Sequence, residues 1–105
     1  MTERTLGGVG TKVLYENDRV RIWELRLAPG EESAVHRHEL PHVLVQIAGD
    51  RIAVVPEADS EGPYRRYMAA DVIPGAAVYV APGGLETARN EGQQPYLEVI
   101  VELKD

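Results

Sequence analysis

The sequence predicts an all-β fold, a small barrel or jelly roll, on three observations. Strand-like apolar runs recur along its 105 residues, no segment sustains a helical period, and seven prolines with ten glycines punctuate the runs at short intervals. About eight short strands in so small a chain must close on themselves, because open sheet edges invite aggregation.

The elements follow in order. Residues 1–11 are rich in Gly and Thr and are expected to be flexible, or exchanged as a strand with a partner subunit. The edge-like "KVLY" comes next, then "VRIWELRLA", which alternates: Trp23, Leu25 and Leu27 share one face, opposed by Glu24 and Arg26. Pro29-Gly30 breaks that run. "HVLVQIA" and "RIAVV" flank Gly49-Asp50, a pattern that predicts a β-hairpin. "PEADSEGP" is a polar loop, and "YRRYMAADVI" is a weaker run, either a strand or an irregular edge. Pro74-Gly75 precedes "AAVYVA", and Pro82-Gly83-Gly84 precedes "LETARN". The closing "YLEVIVEL" alternates again, with Leu97, Val99, Val101 and Leu103 on one face.

Composition narrows the function classes. The length suits a single domain over residues 1–105. A net charge of −6 with scattered Arg and Lys argues against nucleic acid or an anionic membrane surface as a partner, since both need a basic patch. The chain lacks cysteine, which excludes disulfides, thiolate catalysis and cysteine-ligated metals and suits a reducing cytoplasm. The N-terminus has no signal-peptide apolar stretch, and no run is long enough to span a bilayer. The expected location is the cytoplasm.

The whole histidine complement, His36, His38 and His42, falls within "SAVHRHELPHVLVQIAG". Along an extended strand His36 and His38 project to one side and Arg37 to the other, so both can reach one ion. If "ELP" makes a turn, the strand starting at His42 runs back beside the first and returns that ring to the same face. Three imidazoles facing one interior suit a transition metal; the plainer alternative is three polar side chains capping strands or bonding carbonyls. Parity from His42 puts Leu44 and Gln46 on the same face. A polar Gln46 in an apolar strand needs a partner: it orients a metal ligand, touches substrate, or is an edge residue bonded to water. Tyr79 is a candidate for the barrel mouth and for substrate contact, with core or rim packing as the alternative. Trp23 reads as core, the arginines as a solvated face, and Asn90 as a turn residue in "RNEG".

The spacing around these residues resembles the cupin superfamily. Its first motif, Gly, five residues, His-x-His, three or four residues, Glu, six residues, Gly, is met by Gly30, His36-Arg37-His38, His42 and Gly49 at the same intervals. Its second motif, Gly, five residues, Pro-x-Gly, two residues, His, three residues, Asn, is met by Gly75, Ala81-Pro82-Gly83, Glu86 and Asn90. The match covers roughly residues 13–103, nearly the whole chain. His42 stands where the family has glutamate, Glu86 where it has histidine, and Ala81 where it has proline.

The resemblance implies a double-stranded β-helix (jelly-roll barrel). It also implies one divalent transition metal ion per chain (Fe, Ni, Mn or Zn), held by the exchanged set His36, His38, His42 and Glu86. It further implies a metal-dependent enzyme of the dioxygenase, isomerase or lyase type on a small oxygen-rich metabolite, with Glu86 doubling as a catalytic base. The alternative is a non-catalytic sensor or accessory protein that binds metal or ligand. Small relatives of this kind dimerise, so a homodimer is expected.

Overall fold

In the computed structural model, which describes residues 5–104, every regular element is a β-strand. The strands are β1 (Lys12–Glu16), β2 (Val20–Leu27), β3 (His36–Arg37), β4 (His42–Ala48), β5 (Arg51–Pro56), β6 (Met68–Asp71), β7 (Ala77–Val80), β8 (Leu85–Asn90) and β9 (Tyr96–Leu103). They pair antiparallel into a five-stranded sheet, β1-β2-β9-β4-β7, and a four-stranded sheet, β3-β8-β5-β6. Among the described residues no helix is long and apolar enough to cross a membrane.

The hairpin expected across Gly49-Asp50 does not form. Both edges of β4 are taken, by β9 and β7, and β5 pairs with β6 and β8 in the other sheet. Gly49-Asp50 is therefore a crossing between sheets. Gly49 sits at φ +135°, a backbone conformation that side chains disfavour, and a Cβ there would lie 2.9 Å from the Tyr96 ring. Asp50 is held across the gap, its carboxylate accepting from the Gln93 amide at 2.7 Å. The "ELP" segment corrects the sequence reading in the same way. Instead of turning β4 back beside β3, it carries the chain from the four-stranded to the five-stranded sheet. Two-residue loops between apolar runs look alike whether the second strand pairs with the first or faces it; only the full set of partners decides.

The core lies between the sheets. Leu25, Leu27, Tyr96 and Ile100 of the five-stranded sheet are buried with Val9, and Ile52 and Ala88 of the other sheet pack against them. From the N-terminal segment, residues 5–11 pack on their own chain: Val9 is core, and the Gly7 amide donates to the Val35 carbonyl at 2.9 Å. Asn90 ties the sheets together. Its side-chain nitrogen donates to the Leu27 carbonyl at 3.0 Å and the Gln94 carbonyl at 2.8 Å, while its oxygen accepts from the Gly92 amide at 2.9 Å.

The phase of β9 matters most for function. Leu97, Val99, Val101 and Leu103 do share a face, but it is the half-exposed outer one; the buried face carries Tyr96, Glu98, Ile100 and Glu102. Register explains this. Tyr96, Glu98 and Ile100 stand opposite Leu27, Leu25 and Trp23 of β2, and side chains paired across antiparallel strands lie on one side of the sheet. Two glutamates thus enter the interior on an alternating strand.

Candidate metal centre

The site is built where β3 meets β8. His36 and Glu86 are direct register partners, which sets their side chains side by side on the inner face. His38 follows β3 and is clamped by the glycine loop before β8: its amide donates to the Gly84 carbonyl at 2.7 Å, and its carbonyl accepts from the Gly83 amide at 2.8 Å. A Cβ at Gly84 would lie 2.6 Å from Glu86 Oε1, so the glycine leaves the Glu86 carboxyl free to take this position. The ligand atoms of His36, His38 and Glu86 all fall within 4.8 Å of one another, and all three residues are buried. His38 Nε2 and Glu86 Oε2 are 3.7 Å apart.

His42 arrives from the opposite sheet. Its ring stacks on that of His38, with centroids 4.1 Å apart and planes at 18°, while the His36 and His38 rings meet edge to face at 4.9 Å. The compact donor group is therefore His36, His38 and Glu86, with His42 adjoining through the His38 ring. Behind His42, its register partner Glu102 accepts a hydrogen bond from the Trp23 indole at 2.6 Å and faces Arg21 at 3.5 Å. Trp23 is thus a bridge from the core to this acid rather than filler alone.

The electrostatics suit metal donors. Burial holds all three imidazoles below their ordinary range, His38 down to about 3, so each is neutral with a lone pair to offer. His36 Nδ1 lies 2.9 Å from the Ala34 carbonyl and His42 Nδ1 3.2 Å from the Leu40 carbonyl. A ring that donates there presents Nε2 as its basic nitrogen. His38 has no such anchor, and its Nδ1 is buried without a hydrogen-bond partner. Burial also pushes the Glu86 carboxyl up to about 7. Neutral imidazoles and a desolvated carboxyl with no cationic partner among the described residues are a donor set that fits a divalent transition ion, whose charge would offset the buried carboxylate.

Beside this group lies a cavity of about 170 Å³ between the sheets. His36, His38 and Glu86 line one part of it, Gln46, Tyr96 and Glu98 another, and residues such as Leu25, Leu44, Ile52 and Ile100 supply apolar walls. Gln46 is indeed on the inner face. Its side-chain oxygen accepts from the Ile73 amide at 2.9 Å, and its nitrogen reaches the Tyr96 hydroxyl at 3.5 Å. That hydroxyl in turn donates to Glu98. Tyr79 is not brought to the cavity: it pairs with Val43 on the outer face of the five-stranded sheet and is 61% exposed.

Tyr96, Glu98 and Glu102 were not singled out by sequence reasoning. Their signal was present in "YLEVIVEL", where acids alternate with aliphatics, but the phase of that strand is set by its neighbours.

No known family description matches this chain, and no curated protein does. Solved structures do match. A cupin domain from Bordetella pertussis Tohama I is 23% identical over 100% of both chains, with a TM-score of 0.75. The fold is that of a cupin domain. A cupin from Methanocaldococcus jannaschii, described as an RmlC-like double-stranded β-helix, is 18% identical over 98% of this chain and 92% of its own, at a TM-score of 0.69. The polyketide cyclase RemF from Streptomyces resistomycificus is 18% identical over 85% of this chain and 57% of its own, at 0.60. Within the cupin barrel, both sheets contribute to the candidate site: β3 and β8 carry the compact group, and β4 brings His42 against it.

Proposed function

We propose that this cupin holds one divalent transition metal ion through His36, His38 and Glu86, with His42 completing the set, and that it is a metal-dependent enzyme acting on a small oxygen-bearing metabolite. The observation that carries this reading is the buried group itself, two neutral imidazoles and a carboxyl within 4.8 Å with no cationic partner among the described residues. Such a burial costs several kcal/mol unless something compensates it. A bound divalent ion supplies Lewis acidity toward a substrate oxygen. The chain's own part is to hold that substrate against the centre: the apolar walls limit water, and Glu86, lining the same cavity, is placed to exchange ligation for proton transfer as a base. Dioxygenase, isomerase and lyase chemistries all suit such a centre, and the polyketide cyclase among the fold neighbours is in keeping with an enzymatic role.

Elemental analysis of the purified protein beside His36→Ala, Glu86→Ala and His42→Ala tests the centre. About one ion per chain is expected, lost in the first two variants and weakened in the third. Absence of metal after reconstitution with Fe, Ni, Mn and Zn refutes it. Retention in His42→Ala reduces the set to three ligands. Metal and ligand binding without turnover of any compound would make this cupin a sensor or accessory protein.

The outer face of the five-stranded sheet supports a homodimer. Tyr15, Ile22, Val43, Val99, Val101 and Tyr79 share that face, with Tyr15 and Tyr79 well exposed. An apolar face of this kind is self-complementary across a two-fold axis. Light scattering on wild type and Tyr79→Glu is the check, with a dimer expected to dissociate in the variant.

A further inference from the structure

The cavity has a second polar pole that the metal centre does not use. Glu98 lies on the inner face of β9, flanked in register by Leu25 of β2 and Gln46 of β4, and is only 7% exposed. An aliphatic side chain would satisfy the packing around it at far less desolvation cost. The Tyr96 hydroxyl occupies one carboxylate oxygen, and no other hydrogen bond reaches Glu98 among the described residues. A carboxylate accepts at about four lone-pair sites, so most of its capacity is open. Tyr96 and Gln46 are themselves held, Gln46 by the Ile73 amide at 2.9 Å, so the pole is rigid rather than adaptable.

The cavity's other features restrict what could meet this pole. Its lining contains two carboxyls, Glu86 and Glu98, and no Arg or Lys among the described residues, so away from the proposed metal an anion gains no partner at the Glu98 pole and meets like charge there. Its volume of about 170 Å³ compares with about 150 Å³ for an apolar protein cavity that accommodates benzene.

We propose that Glu98, oriented by Tyr96 and Gln46, is the recognition residue for a hydroxyl group on a compact, uncharged, one-ring-sized ligand. The hydroxyl donates to the open carboxylate oxygen while the ring lies on the apolar walls. This assignment rests on the cavity being the ligand site proposed above. It does not depend on the metal, and metal-free protein therefore separates its failure from failure of the metal centre.

The test is a titration of the chelator-treated full chain at about pH 8.5, where Glu98 and Glu86 are ionised, followed by calorimetry or amide NMR shifts, with phenol, toluene and benzoate as probes. Phenol is expected to bind at least about tenfold more tightly than benzoate, since a hydrogen bond to a charged group and avoided like-charge repulsion both favour it. In Glu98→Leu, phenol should weaken by about fivefold or more while toluene is unchanged or tighter. Should that variant fail to fold, Glu98→Gln keeps a carbonyl acceptor and removes the charge. It should then retain phenol within about threefold and narrow the phenol-to-benzoate gap by at least as much. Failure of phenol to bind, benzoate binding as well as phenol, or phenol and toluene shifting together in Glu98→Leu each overturns the assignment, as does an unchanged gap in Glu98→Gln.

Discussion

Replacing Glu98 with Gln should change how stability depends on pH. In the folded chain burial holds this carboxyl up to about 7, reinforced by the nearby Glu86, against an ordinary value of 4.5. Between those pH values the folded protein keeps the proton and the unfolded chain has released it. Stability from this group is therefore complete below pH 4.5 and is lost as pH rises toward 7. At about 1.4 kcal/mol per pH unit, the loss across that interval is about 3 kcal/mol. The buried histidines act in the opposite sense, since their depressed values favour the folded state as pH rises, and Glu86, also raised to about 7, acts in the same sense as Glu98, so the wild-type curve alone is a sum of all of these. The difference between wild type and Glu98→Gln cancels the histidines. Urea denaturation of metal-free protein at half-unit steps from pH 4 to 8 should show the stability of wild type relative to the variant falling by about 3 kcal/mol, then levelling. In melting temperature the same change is on the order of 10 °C for a domain of this size. A difference that stays constant within about 1 kcal/mol across the range would show that Glu98 is solvated, and the reasoning from burial would be refuted.

Three further outcomes are expected. Gly49→Ala should destabilise by roughly 1–3 kcal/mol in thermal melts, because its φ of +135° disfavours a side chain and the added Cβ meets the Tyr96 ring at 2.9 Å. Asn90→Ala, at a position 1% exposed, removes hydrogen bonds to the Leu27 and Gln94 carbonyls and from the Gly92 amide; a loss of about 2–4 kcal/mol in urea denaturation is expected, and a loss below about 0.5 would mean that the sheets do not depend on this tie. Free zinc or nickel at about one hundred times its dissociation constant should stabilise wild type by about 2.7 kcal/mol, read as a higher melting temperature, and leave His36→Ala unmoved.

Much of the fold was legible locally. Pro-Gly punctuation and period-two runs predicted the all-β class, and the alternation of "VRIWELRLA" placed Trp23, Leu25 and Leu27 inward, as the structure has them. The cupin spacing brought His36, His38 and Glu86 into one hypothesis from stretches far apart in the chain, and the structure sets them within 4.8 Å. Tyr79 was misplaced because an aromatic in a short apolar run carries no mark of which face it takes. The hairpin at Gly49-Asp50 failed for a related reason: a tight glycine turn permits either pairing or crossing, and the competition of β7 and β9 for the edges of β4 settled it.

By itself, the sequence determined which residues could do chemistry: imidazole donors at fixed spacing, no thiol, 17 acids and the turns that interrupt the strands. Tertiary structure decided which of those acids are inside. Alternation fixes that Glu98 and Glu102 share a face but not which way that face turns, because the phase of a strand depends on the residues set against it. Opposite Leu25, Leu27 and Trp23, the acidic face of β9 is drawn inward and the aliphatic face is left to the outside. The interior therefore acquires its second polar pole from a pairing that no local pattern encodes.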